Sequence, residues 1–228
     1  MISSNTTIDI SGTGPVSAVM SAPDRIQGSA STGVIIAHGA SNNMNNDLIV
    51  AFSEGLADAG YITLRFNFPS TEKGKKSPDG QATLVRTWQH VYAWLKRNNQ
   101  VSVDRIITAG KSMGGRVAAQ MVAEGQLDAA AMIFLGYPLH APGRTDQLRD
   151  APLFQIKAPM LFIEGTQDPL CNLARLRQVL GRLHGSVALE SIEGGNHSFK
   201  LPSSLSRSAA DVHRQIVEKS VWWLASLD

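Results

Sequence analysis

Six short apolar runs recur along the chain: GVIIAHG, YITLRFNFP, RIITAG, AAAMIFLGYP, PMLFIEG and SVALESIEG. The first of them, GVIIAHG, shows little polar–apolar alternation, the pattern of a strand buried on both faces of a parallel sheet. The stretches between them carry apolar residues at helical spacing. Residues 47–60 place Leu48, Phe52 and Leu56 on one face and close on Gly60. Residues 82–98 carry a stripe of Leu84, Val85, Trp88, Val91, Tyr92 and Leu95. Further helices are expected over 112–124, 172–183 and 206–227. Strand–helix alternation of this kind folds only if helices cover both faces of a mostly parallel central sheet, an α/β architecture. Near the start, TTIDI and VSAVMS flank Gly-Thr-Gly-Pro and read as an edge hairpin. The chain has 228 residues and neither a repeat nor a low-complexity linker, so 1–228 is expected to be a single domain.

Composition narrows the partners. Apolar residues are 43% and charged residues 18%, which supports a packed core and excludes whole-chain disorder. A formal charge of +2 gives no footprint for nucleic acid or for an anionic membrane. The single cysteine, Cys171, permits no internal disulfide. The polar opening MISSNTTIDISGTG has no basic, apolar leader character, and no run approaches the roughly 18 apolar residues of a membrane span. The expectation is a soluble cytoplasmic protein.

The stretch TAGKSMGGR, residues 108–116, admits two readings. Gly110-Lys111-Ser112 resembles the end of a phosphate-binding loop. That motif requires a glycine five residues before Gly110, where the backbone curls around a phosphate. Position 105 is arginine, and 106–108 are Ile-Ile-Thr, a strand. The alternative is G-x-S-x-G, a tight turn between strand and helix that exposes a serine hydroxyl. RIITAG supplies the strand, the segment from Met113 supplies the helix, and Gly110, Gly114 and Gly115 allow close approach.

A serine hydroxyl is a poor nucleophile without a base, and a histidine base needs an acid to fix its tautomer. In a doubly wound sheet such partners follow the C-terminal ends of later strands, in the order serine, acid, histidine. Asp168 follows PMLFIEG, and His197 follows SVALESIEG. Glu164 and Asp146 are reserve acids, the first still inside its strand and the second after the wrong one. An oxyanion needs two donors. The N–H groups of Met113, next to the serine, and of Ala40, in the loop AHGASNNMNND, are the candidates. His38 is expected to brace that loop. Asn42 and its neighbouring asparagines are turn formers or substrate donors. Lys73, Lys75 and Lys76 form a solvated loop or attract an acidic substrate. Lys111 is a candidate substrate contact, and Arg65 and Asn67 are expected to hold loops by hydrogen bonding.

Taken together, IIAHGA, LRFNFP with EKGKKSPD, AGKSMGGRVA, FLGYPLHAPGR, FIEGTQDPL and GGNHSFK resemble the α/β-hydrolase-fold family across nearly the full length. More narrowly they resemble its bacterial KANL3/Tex30-like hydrolases, akin to the dienelactone hydrolases. The resemblance implies the α/β-hydrolase fold and a triad of Ser112, Asp168 and His197. Dienelactone hydrolases carry a cysteine where Ser112 stands. The expected activity is that of a serine hydrolase of the carboxylesterase kind, acting on a small ester-like substrate with no metal or cofactor. A non-catalytic scaffold on the same fold and an acyltransferase using the same triad are the alternatives. The connection over 138–158 is too short for a lid domain. A monomer or homodimer is expected.

Overall fold

The computed structural model describes residues 1–24 and 32–227. An antiparallel hairpin, β1 (Ile2–Ile10) and β2 (Gly14–Ala22), opens the chain. Six further strands follow: β3 (Thr32–Ala37), β4 (Ile62–Phe66), β5 (Arg105–Lys111), β6 (Ala131–Leu135), β7 (Met160–Gly165) and β8 (Val187–Ile192). They join one sheet of order β1-β2-β4-β3-β5-β6-β7-β8. β4 runs antiparallel to β2, and all pairings from β4 to β8 are parallel. The sequence expectation of a mostly parallel sheet with an edge hairpin is what the sheet shows.

The helices are α1 (Asp47–Asp58), the single turn α2 (Pro69–Glu72), α3 (Gln81–Lys96), α4 (Met113–Ala123), α5 (Leu173–Leu180) and α6 (Ala209–Ala225). One face of the sheet packs its core against α3, α4 and α5 through Trp88, Val117 and Leu176. The other packs against α1 and α6 through Phe52, Leu56, Ile216 and Trp223. The pleat divides β5 between them: Ile106 belongs to the first core, Ile107 and Ala109 to the second. Trp88 has no solvent exposure and meets Phe66 edge-on at 5.4 Å, anchoring α3 to β4.

Some elements differ from the sequence expectation. The loop STEKGKKSPDG begins with α2, because Pro69 presets the first helical φ and Phe68 O accepts from Thr71 and Glu72 N–H. A 3-10 turn, Ala151–Gln155, lies in the 138–158 connection. β1 extends back through the polar Ser3, Ser4 and Asn5, held by its ladder to β2. Of the adjacent tryptophans, Trp223 is buried and Trp222 is 69% exposed. No helix among the described residues is long and apolar enough to cross a membrane.

Strand order positions the site. From β3 the chain moves outward through α1 to β4, then crosses back through α3 to β5 on the other side of β3. β3 and β5 therefore flank the switch point where the loops at their C-terminal ends diverge, the place where such sheets form a crevice.

Candidate active site

Ser112 stands between β5 and α4 with φ 51° and ψ −113°, a left-handed conformation that costs a non-glycine residue on the order of 1–3 kcal/mol. The turn is so tight that a Cβ on Gly110 would clash with Gly115 N and lie 2.7 Å from Gly114 C. A Cβ on Gly114 would lie 2.7 Å from His38 O. Glycines at these positions let β5, α4 and the β3 loop touch backbone to backbone, which holds Ser112 in its strained form.

Three side chains from three loops meet here. His197 Nε2 is 2.8 Å from Ser112 Oγ, and His197 Nδ1 is 2.6 Å from Asp168 Oδ2. Asp168 is only 7% exposed, and its Oδ1 accepts from the Leu170 N–H at 2.7 Å. A carboxylate so placed accepts a hydrogen bond from the Nδ1–H of His197 and leaves Nε2 as the acceptor facing the serine. Glu164, the reserve acid, is fully buried and accepts from the Tyr137 N–H at 2.6 Å. Burial, reinforced by Asp168, pushes its carboxyl well above the usual range. It does not touch His197.

The acid turn and the base loop are laced together. Thr166 N–H donates to Ile192 O, Gln167 N–H to Gly195 O, and Gly194 N–H to Thr166 Oγ1. The Asn196 side chain accepts from the N–H groups of Ser198 and Lys200.

The β3 loop lies against the serine: a Cβ on Gly39 would be 3.5 Å from Ser112 Cβ, so the 39–40 peptide borders Ser112. Met113 is the first residue of α4, so its N–H has no acceptor within the helix. His38 has its Nδ1 2.7 Å from Gly39 O and its Nε2 accepting from the Phe68 N–H at 3.1 Å. These partners require the neutral Nδ1–H tautomer, and burial lowers the pKa in the same direction.

Other candidates fall in varied places. Asn42 and Lys111 line the same cavity, of about 550 Å³. Lys75 is exposed and does not line it; its loop meets the β3 loop where Ser41 Oγ donates to Lys76 O. Asn67 does hold loops, accepting from Met44 N–H and donating to Glu72. Arg65 does not act as expected: it is buried in β4 with Nε and Nη1 unpartnered. A larger cavity of about 930 Å³ lies between β1 and α3, and neither cavity is lined by Ser112, Asp168 or His197.

A lid-poor α/β sheet with a serine, histidine and aspartate in line is the arrangement of hydrolase-fold proteins. Residues 30–225 match the alpha/beta hydrolase domain family, and the chain belongs to it. Among solved structures it is similar to an alpha-beta serine hydrolase homologue from Coxiella burnetii, at 22% identity over 98% of each chain with a TM-score of 0.76. It is also similar to a dienelactone hydrolase from Anabaena variabilis, at 20% identity over 99% of this chain and 97% of that one, TM-score 0.76. A Xanthomonas campestris α/β serine hydrolase described as without a lid shares 20% identity over 97% and 94% of the two chains, TM-score 0.72.

Proposed function

We propose that this protein is a serine hydrolase that cleaves a carboxylester or thioester of a small substrate through an acyl-enzyme on Ser112. The observation that carries this reading is the chain Ser112 Oγ–His197 Nε2 at 2.8 Å and His197 Nδ1–Asp168 Oδ2 at 2.6 Å. His197 Nε2 takes the hydroxyl proton as Oγ bonds to the carbonyl carbon, and the carbonyl electron pair moves onto oxygen. The N–H groups of Met113 and Ala40 stabilise that oxyanion. As the tetrahedral centre collapses, the bond to the leaving group breaks and His197 returns its proton to that group. A water deprotonated by His197 then releases the acid and restores Ser112. Asp168 keeps the imidazole oriented and stabilises its charged form.

Fluorophosphonate labelling and p-nitrophenyl ester hydrolysis test this. Wild type is expected to label and to turn over short acyl chains best, since the 136–150 connection is tied to the acid loop, where His140 N–H donates to Leu170 O and His140 Nε2 accepts from Asn172 N–H, and forms no lid domain. Ser112→Ala is expected to do neither. Folded wild type that fails to label, or a Ser112→Ala variant with wild-type turnover, would overturn the reading.

A further inference from the structure

The cavity beside Lys111 lies at the α1 and α6 side of the sheet, and none of Ser112, Asp168 and His197 lines it. Lys111 and Ser198, the neighbours of the nucleophile and the base, both line it. We propose that it is a subsite for an anionic group of the substrate, a carboxylate or a phosphate, with Lys111 as its specificity-determining residue. The proposal rests on the ester-hydrolase reading of Ser112 and names the substrate class of that same site.

The central observation is a buried ammonium without a partner. Lys111 is only 8% exposed, yet no hydrogen bond or ion pair engages its Nζ among the described residues. Of its nearest carboxyl groups, Asp168 serves His197 and Leu170, and Glu164 accepts from Tyr137 through Oε1 while its buried Oε2 has no hydrogen-bond partner. What Nζ meets instead is the ring of Phe199, with the centroid 5.6 Å away. Phe199 holds that ring from a left-handed φ of 57° and is itself buried in the core on the α1 and α6 side. Nζ is also close to the base, for a Cβ built on Gly136 would lie 2.9 Å from Nζ and 3.6 Å from His197 Cε1. Taking an ammonium out of water without a partner is costly, and an incoming anion would supply the missing partner.

The rest of the wall has the same sign. α1 begins at the cavity with Asn46, whose side chain caps none of its N–H groups, so its partial positive end faces the space. α6 also begins there, but its first turn is closed by the Ser208–Asp211 capping box and contributes less. Lys200 and Arg207 add two cations against one carboxylate, Asp47. Burial lowers the pKa of His213, which lines the same cavity, and so disfavours a further charge there. Burial likewise lowers Lys111 to about 8, opposed by Glu164 and Asp168, so the ammonium is still mostly charged at neutral pH. The volume of about 550 Å³ suits a small ligand.

Two measurements test the subsite. The first is calorimetric titration of glutarate and of inorganic phosphate into the Ser112→Ala protein, which needs no turnover. One of the two is expected to bind, identifying carboxylate or phosphate, and Lys111→Met in that background is expected to weaken it about tenfold to hundredfold. Lys111→Arg should recover most of the affinity. The rim variant Lys200→Gln/Arg207→Gln should weaken binding about threefold or more, and it serves if Lys111→Met fails to fold. The second compares kcat/KM for 4-acetoxybenzoate with that for its methyl ester, and the ratio should fall in Lys111→Met. Binding of neither probe, or equal binding with and without Lys111 and the rim cations, overturns the subsite. Anion binding without ester turnover would sustain the subsite and overturn the hydrolase reading; turnover without anion binding would do the reverse.

Discussion

Gly165→Ala isolates how the fold sets the triad without touching any of its members. Gly165 ends β7, three residues before Asp168, and its Cα faces the loop that carries His197. A Cβ there would lie 2.5 Å from Gly195 C and 2.8 Å from Asn196 O, and closer still to Gly195 O. All of these are backbone atoms, pinned by the bonds from Gln167 N–H to Gly195 O and from Asn196 N–H to Lys200 O. Ordinary contact begins near 3.4 Å, so the base loop must retreat by about 1 Å. A misplacement of about 1 Å in a reacting group costs roughly 100-fold in rate. We therefore expect kcat for a short p-nitrophenyl ester to fall about 100-fold, and fluorophosphonate labelling to slow in parallel. The strand itself should survive, so circular dichroism should show native helix content and a lowered but cooperative melt. A folded Gly165→Ala protein with kcat within threefold of wild type would refute the reasoning, because the loop would then have room that the geometry denies it.

Other outcomes follow from the same structure. Asp168→Asn should keep the fold and lose about 10³- to 10⁴-fold in kcat, because an amide can donate to Nδ1 and turn Nε2–H toward the serine. His38→Ala strands the buried Phe68 N–H, so it should cost about 1–3 kcal/mol in urea unfolding and lower kcat by loosening the 39–40 peptide. Lys111→Met removes an unpaired buried ammonium and should raise the melting temperature while lowering the preference for anionic esters. Lys111 is charged below about 8 and neutral above, so in wild type that preference should hold at pH 7 and decline as pH rises through about 8. A preference unchanged at pH 9.5 would show that the charge is not its source. Glu164→Gln keeps an acceptor for the Tyr137 N–H and should melt closer to wild type than Glu164→Ala.

The parts of this molecule that were legible in the sequence are those where one physical demand dominates. Apolar runs mark β3, β6 and β7 because a strand covered on both faces tolerates little else. Ser112, Asp168 and His197 could be picked out because each follows a strand end in the order such a sheet requires, and they do meet. What escaped were features set by tertiary packing. Arg65 read as a polar strand end reaching for a loop, yet it is walled in with Nε and Nη1 unpartnered. Lys75 read as part of a solvated loop or as a contact for an acidic substrate, and it is exposed outside the Lys111 cavity. Lys111 was ambiguous for a different reason, since a lysine beside a serine gives no hint of burial. Counting the pleat from Ile107 and Ala109 would have put it on the α1 and α6 face.

The base comes from the sheet's margin. β8 is the last strand, paired only with β7, and its side chains are mostly half-buried. The serine turn rises from β5, which has neighbours on both sides. His197 thus follows a strand with one neighbour in the sheet, while Ser112 follows a strand with two. Fraying of that margin would disconnect the imidazole and leave the elbow intact, giving a folded but silent molecule. The fraction of molecules able to react would then report the local opening equilibrium of one edge strand rather than the stability of the whole chain.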